Sequence, residues 1–306
     1  MKRTKLYHGV VVPMITPFTS NGIIDEEAVH KITNAIVSCG AFPFIIGTTG
    51  ESASISIQEK SKYVQYLAKT YSGKTTLYAG ISSNCQTDSI EAAKKYFDLG
   101  IDAVVATLPS YYILTSDQIL KYFETLADNI PGPVIIYNIV ATTHMSIPID
   151  VVDKLSYHPR IVALKDSERD IRRLDKSIEL FKEREDFSLL IGWAAQSAYG
   201  LLNGADGIVP STGNIVPKMF QLLYEAAKSD DSQTANRLQQ ETDAIAKVYQ
   251  KDRTLGQSLA ALKVMMEYYG LCTQEMLPPL SKLGLDEVEA IKSQMENIQE
   301  LKDHVR

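Results

Sequence analysis

Eight short apolar runs, alternating with segments of helical periodicity, constrain the fold of this chain more than any other feature. They are VVVPMI from Val10, FPFIIG from Phe42, TLYAGI from Thr76, AVVATL from Ala103, VIIYN from Val134, IVALK from Ile161, SLLIG from Ser188 and GIVP from Gly207. Most are apolar on both faces, as strands of a parallel sheet covered by helices must be. Helical spacing fills the gaps, for instance over 25–38, 57–70, 89–99 and 116–130. The junction Gly-x-Asp-x-(Val/Ile) recurs at Gly100-Ile101-Asp102-Ala103-Val104 and Gly204-Ala205-Asp206-Gly207-Ile208, where the glycine suits a left-handed helix C-cap before the next strand.

Eight such units in roughly 220 residues predict an α/β fold, an eight-stranded (β/α)8 TIM barrel. A doubly wound open sheet shares the alternation but usually brings a nucleotide fingerprint. Neither GxGxxG after the first strand nor GxxxxGK[ST] occurs. Periodic stretches at 216–229, 234–249, 259–269 and 285–302 then predict a C-terminal helical extension. The expected division is a barrel over 1–225 and an extension over 226–306 packed on it, as one structural unit. The extension could also be an oligomer surface.

Composition narrows the function. Of 306 residues, 31 are basic and 37 acidic, for a formal net charge of −6, the opposite of the basic surface that nucleic acid selects. No stretch reaches the ~18 uninterrupted apolar residues of a membrane span. Lys2, Arg3 and Lys5 precede the first apolar run, but Pro13 and Pro17 break it, so a signal peptide is not expected. Three widely spaced cysteines (Cys39, Cys85, Cys272) without CxxC fit neither a disulfide scaffold nor a structural zinc site. The expectation is a reduced, cytoplasmic protein with no nucleic-acid or membrane partner.

Barrels of this kind work at the C-terminal ends of their strands. The sixth run finishes in Lys165, and period two puts Ile161, Ala163 and Lys165 on one face. A lysine turned into such an interior loses solvation, which lowers its pKa from about 10.4 and frees the neutral amine to attack a carbonyl. At pH 7 an unperturbed lysine is only about 0.04% neutral, and lowering its pKa by one multiplies that fraction about tenfold. The competing reading is a strand-end lysine that snorkels to water or pairs with Asp166. The fifth run ends in Tyr137-Asn138, one strand away, and a phenol beside an imine-forming lysine can shuttle protons. Taken alone, Tyr137 fits a core or rim residue better; paired with Lys165 on the adjacent strand, the two readings balance.

After the second run comes Gly47-Thr48-Thr49-Gly50-Glu51-Ser52. Thr48 and Glu51 have capping-box spacing, but Ser56-Ile57-Gln58-Glu59 repeats it directly before a periodic helix. The helix is therefore expected to start at the second box. That leaves a loop whose N–H and hydroxyl donors suit a carboxylate.

With these residues in place, the chain resembles the dihydrodipicolinate synthase / N-acetylneuraminate lyase family. The likeness rests on GTTGES, Tyr137-Asn138, Lys165-Asp166-Ser167 and the stretch Gly207-Ile208-Val209-Pro210-Ser211-Thr212-Gly213-Asn214, and it runs over nearly the whole sequence. It implies a pyruvate-handling class I aldolase on an eight-stranded barrel, a homodimer or homotetramer. By this resemblance Lys165 forms the Schiff base with pyruvate or another 2-oxo acid, and Tyr137 shuttles protons. Thr48 and Thr49 bind the carboxylate while relaying protons, and Tyr111, in Leu108-Pro109-Ser110-Tyr111-Tyr112, is lent across a tight dimer interface. Gly50, Ser167, Val209, Ser211 and Thr142 complete the expected substrate-binding set. No organic cofactor or metal is implied, and His8, His30, His144, His158 and His304 show no ligand spacing such as HExxH.

Three departures bear on the substrate. Where synthase members carry an arginine shortly after the strand-five tyrosine, this chain has Thr142, which cannot make a bidentate charged contact; His144 replaces a glycine common there. Where sialate lyases carry an acidic pair, Gly192-Trp193 is followed by Ala194 and Ala195. Where lysine-inhibited synthases place histidines and a tyrosine stand Ile57, Lys60 and Ser110, so lysine feedback is not expected. The charged run Glu168-Arg169-Asp170-Ile171-Arg172-Arg173 offers an arginine for a distal carboxylate, although self-paired charges at a helix start fit it better. The expected activity is cleavage or formation of a C–C bond to pyruvate, with a 2-keto-3-deoxy sugar acid or related 2-oxo acid and its aldehyde partner. Dihydrodipicolinate synthase chemistry is the alternative reaction, and a non-catalytic 2-oxo-acid sensor the alternative of another class.

Overall fold

Each apolar run becomes a strand, and all eight pair in parallel and in chain order, the eighth returning to the first to close a barrel. The structure, a computed structural model, describes residues 5–298. Lys2, Arg3 and His304 lie outside that range. The strands are β1 (Gly9–Pro13), β2 (Phe42–Ile45), β3 (Tyr78–Gly80), β4 (Ala103–Thr107), β5 (Val134–Asn138), β6 (Ile161–Asp166), β7 (Ser188–Ile191) and β8 (Gly207–Ile208). Between them run α1 (Glu26–Ser38), α2 (Ile57–Tyr71), α3 (Gln86–Leu99), α4 (Ser116–Asp128), the single turn α5 (Val140–Thr143), α6 (Ile149–Leu155), α7 (Ile171–Phe181) and α8 (Ser197–Leu202). The barrel fold expected from the sequence is the one found.

Alternation along the strands separates two cores. Val11, Phe44, Tyr78, Val105, Ile135, Tyr137, Ala163, Leu190 and Val209 fill the barrel interior. Val10, Val12, Ile45, Ala79, Val104, Ile136, Leu164 and Ile208 point outward into the helix layer. Strand β6 breaks the expected phase. Val134 pairs with Ile161 but Ile135 with Ala163, so β6 carries one extra residue there. Ile161 consequently packs outward, while Val162 joins Ala163 against the interior. The bulge lies before Ala163, so Ala163 and Lys165 keep the shared inward face.

The repeated Gly-x-Asp junctions do more than cap helices. Gly100 (φ 100°) and Gly204 (φ 116°) adopt the left-handed backbone. Each following aspartate also accepts a backbone N–H from a neighbouring segment: Asp102 from Leu77 at 2.8 Å and Asp206 from Leu189 at 2.8 Å. Helix starts follow the sequence. Ser56 accepts from the Glu59 amide at 3.2 Å and opens α2, as the second box predicted.

After β8, α9 (Pro217–Lys228) packs on α1 and β1, and residue 225 lies inside it. Then α10 (Ser232–Gln250) packs against α8 and α9. Helix α11 (Leu255–Tyr268) packs against α10 and α12 (Leu285–Glu296). The expected end of that last helix at Lys302 lies outside the described residues. No helix among the described residues is long and apolar enough to cross a membrane.

Candidate active site

Strand register sets Tyr137 directly beside Lys165 across β5 and β6. Lys165 is 4% exposed, and its Nζ lies 3.6 Å from the Tyr137 ring centroid and 4.8 Å from that of Phe44. Burial among these rings lowers the lysine pKa, and interaction of the ammonium with the Tyr137 phenol only partly opposes that fall. Asp166 does not pair with this lysine. It binds Arg173 Nε at 2.6 Å and accepts from Asn138 Nδ2 at 2.9 Å. Arg173 also faces Glu168 at 3.4 Å and donates to the Ile147 carbonyl at 2.8 Å, so its charge is spent within the protein.

Phe44 and Tyr137 both wall a cavity of about 550 Å³ at this end of the barrel, a size that suits a small-molecule ligand. Its lining includes Thr48, Thr107, Thr142 and Ser82 from the strand ends and Leu255, Leu259 and Leu280 from the C-terminal segment. Lys165 itself lies behind the lining, its Nζ against the Phe44 and Tyr137 rings that wall the cavity.

The loop after β2 is fixed by unusual backbone. Ile46 (φ 57°) and Glu51 (φ 55°) both occupy the left-handed region, and for the β-branched Ile46 that conformation is strained. Gly80 makes it possible: a Cβ there would stand 2.0 Å from the Ile46 carbonyl oxygen. Between these residues the chain folds tightly, with the Gly50 amide donating to the Gly47 carbonyl at 3.1 Å and the Gly50 carbonyl accepting from Thr16 at 2.7 Å. Neither the Thr48 nor the Thr49 hydroxyl is spent on a hydrogen bond within the described residues.

Beneath the loop lies a pair that sequence reasoning missed. The Glu51 carboxylate meets Lys263 Nζ of α11 at 2.5 Å, with both side chains at most 1% exposed. Lys263 also donates to the Glu275 carbonyl at 2.7 Å, and Glu51 accepts from the Leu277 amide at 3.2 Å. The visible signal was Lys263 itself, a lone charge in the apolar run Ala260-Ala261-Leu262-Lys263-Val264-Met265-Met266.

Of the residues singled out from sequence, Lys165 and Tyr137 come together, and Tyr137, Thr48 and Thr142 line the cavity. Thr49 and Gly50 belong to the same loop but lie outside the lining. Ser167 follows β6, its amide donating to the Asn138 carbonyl at 2.9 Å. Val209 packs in the barrel interior, and the Ser211 hydroxyl is held 2.8 Å from that of Tyr249 on α10. Tyr111 is 77% exposed, packs edge-on with Tyr112 and is not among the residues lining its own chain's cavity.

The sequence profile of the Dihydrodipicolinate synthetase family matches residues 6–298. The chain belongs to that family. It is an enzyme of the lyase class, of the Schiff-base type its family shares. Among its relatives, the 4-hydroxy-tetrahydrodipicolinate synthase of Staphylococcus haemolyticus is 32% identical over 225 residues, covering 73% of this chain and 76% of that protein. The dihydrodipicolinate synthase structure from Bacteroides thetaiotaomicron superposes with a TM-score of 0.90 at 25% identity, covering 96% of this chain and all of that one. A prophage protein of the same family from E. coli K12, solved in complex with pyruvate, has a TM-score of 0.90 at 23% identity, covers 96% of this chain and 99% of its own, and shares the fold.

Proposed function

We propose that the chain makes and breaks a C–C bond to pyruvate through an imine on Lys165. The observation that carries this reading is the buried Lys165 amine, 3.6 Å from the ring centre of its register partner Tyr137, which in turn walls the cavity. In the cleavage direction the neutral amine adds to the keto carbon of a 2-keto-3-deoxy sugar acid or related 2-oxo acid. Loss of water gives a protonated imine, the electron sink for the next step. Tyr137 takes the proton of the substrate's C4 hydroxyl, the C3–C4 bond breaks, and the electron pair enters the imine as an enamine while the aldehyde leaves. Protonation of the enamine carbon and addition of water then release pyruvate and the free amine.

In this reading Thr48 and Thr49 receive the 2-oxo acid carboxylate with their uncommitted hydroxyls and with Gly50 in the same loop. Thr142 and Ser167, with Val209 and Ser211 behind them, border the acceptor end. Tyr111, exposed on one chain, serves a second copy in a homodimer or homotetramer. No organic cofactor or metal enters the scheme, and the reaction is assigned to the cytoplasm.

A second reading is condensation of pyruvate with aspartate semialdehyde, supported by the synthase names of the staphylococcal relatives. Thr142 in the cavity wall weakens it, because a hydroxyl cannot replace the arginine fork for the semialdehyde's carboxylate. The deciding experiment is intact mass after sodium borohydride treatment with pyruvate. The wild type is expected to gain one reduced pyruvate and Lys165→Ala none. No wild-type adduct would overturn the reading, and an adduct that persists in Lys165→Ala would move it to another lysine.

A further inference from the structure

Tyr137 and Lys165 are register partners, and the residues that follow them, Asn138 and Asp166, are the next pair. By alternation the side chains of that next pair lie on the outer face of the barrel wall. The bulge in β6 leaves only the short run from Ala163 to Asp166 to hold the register of this strand end. Side chains reinforce it. Asn138 is fully buried, and both ends of its amide are used. Its Nδ2 donates to Asp166 Oδ1 and to Glu168 Oε2, each at 2.9 Å, and its Oδ1 accepts from the Ile147 amide at 3.0 Å.

Arg173 closes these contacts into a ring. Asp170 caps α7 by accepting from the amides of Arg172 at 2.8 Å and Arg173 at 3.3 Å, which fixes the first turn from which Arg173 extends. Arg173 Nε donates to Asp166 Oδ2 at 2.6 Å, and its Nη1 donates to the Ile147 carbonyl at 2.8 Å and to Ser146 Oγ at 3.2 Å. Ser146 Oγ donates in turn to Glu168 Oε2 at 2.6 Å. Ile147 is thus gripped at its amide by Asn138 and at its carbonyl by Arg173. The Arg173 side chain is 9% exposed and that of Asp166 8%. A buried ion pair gains little stability over apolar side chains of similar volume, whereas the rigid guanidinium fork pins its partners against one another.

We infer that Arg173 is a positioning residue for imine formation: through Asp166 and Asn138 it holds the ends of β5 and β6 so that Lys165 and Tyr137 stay aligned. Neither Arg173 nor Asp166 is among the residues lining the main cavity, so both act through the catalytic pair rather than on the substrate. Thr48 and Thr49 follow β2, four strands from β6 and therefore across the closed barrel. The ring should govern the rate of imine formation and leave carboxylate binding by that loop alone. This rests on the imine reading of Lys165, and the test separates the two. Pyruvate trapping on the wild type comes first: without an adduct that reading falls, and the positioning role with it.

With an adduct in hand, trapping is followed against pyruvate concentration with sodium cyanoborohydride in excess, so that imine formation sets the rate. Rates are taken per folded molecule, with folding checked by circular dichroism. The double variant Arg173→Met, Asp166→Asn leaves no unpaired charge at position 166. Since a misplacement of about 1 Å can cost about 10²-fold, its maximal rate is expected to fall by about tenfold or more, with half-saturating pyruvate within about twofold of wild type. Arg173→Lys keeps a charge opposite Asp166, and with it the fold, but loses the arm on Ile147. Its rate is expected to lie between those of the wild type and the double variant. A role confined to stability would leave the rate per folded molecule unchanged. That outcome in both variants, or a lowered rate matched by an equal rise in half-saturating pyruvate, would overturn the positioning role.

Discussion

Lys165 Nζ stands 3.6 Å from the centre of the Tyr137 ring, its register partner on the adjacent strand. Burial holds the lysine pKa below its ordinary value of 10.5, and interaction with the phenol pulls it partway back. The pH at which imine formation reaches half its maximal rate should therefore lie below 10.5 in the wild type. Tyr137→Phe removes the opposing interaction, so its midpoint should fall further while the rate drops about 10²-fold or more for want of a proton shuttle. Borohydride trapping rates across pH measure both. A wild-type midpoint at or above 10.5 contradicts the burial argument.

The same burial makes Lys165 a burden on the fold. The unfolded chain binds the lysine proton up to pH 10.5, while the folded chain releases it at lower pH. The destabilisation is thus complete below the lowered pKa, shrinks as pH rises through the window between the two values, and vanishes above 10.5. Lys165→Met should be more stable than wild type by about 1–2 kcal/mol at neutral pH and inactive, with the advantage fading towards pH 10.5. Urea unfolding at a series of pH values tests the sign; a less stable Lys165→Met at pH 7 contradicts it.

How far the sequence foretold this site follows from the range of each interaction. The barrel, the strand ends and the Lys165–Tyr137 pairing rest on alternation and on consecutive strands being neighbours, both of which are local patterns. The Ile161 phase was misjudged because a β-bulge leaves no mark in an uninterrupted apolar run. Glu51 carried capping-box spacing, yet its carboxylate belongs to Lys263 far along the chain, a pairing that only the packing of α11 under the loop creates. Lys60 appeared as a position where lysine-inhibited relatives differ, and its place in the cavity wall needed the three-dimensional lining.

The Glu51–Lys263 pair ties the left-handed turn at Glu51 to the C-terminal helices. Removing either partner leaves an uncompensated buried charge, which costs about 3–5 kcal/mol. Glu51→Gln and Lys263→Met should each lose stability on that scale, and the double variant clearly less than the sum. Because Thr48 and Thr49 ride on this loop, kcat of the single variants should fall even under conditions where they remain folded. Denaturant unfolding in a double-mutant cycle, with activity assays alongside, measures both; strict additivity would mean the two residues act separately.

Tyr111 is exposed in a chain whose cavity it does not line, which is the expected position for a side chain completing a partner's site. Complementation between inactive variants distinguishes action in trans from action within one chain. Tyr111→Phe and Lys165→Ala should each be severely impaired as pure proteins. In a mixed dimer, the protomer that keeps Lys165 receives an intact Tyr111 from its Lys165→Ala partner, so one of the two sites is whole. Random reassociation of an equal mixture should recover about a quarter of wild-type activity, since half the dimers are mixed and each has one complete site. If mixing after dissociation and reassociation recovers nothing while wild type treated in parallel regains activity, Tyr111 acts within its own chain or not at all.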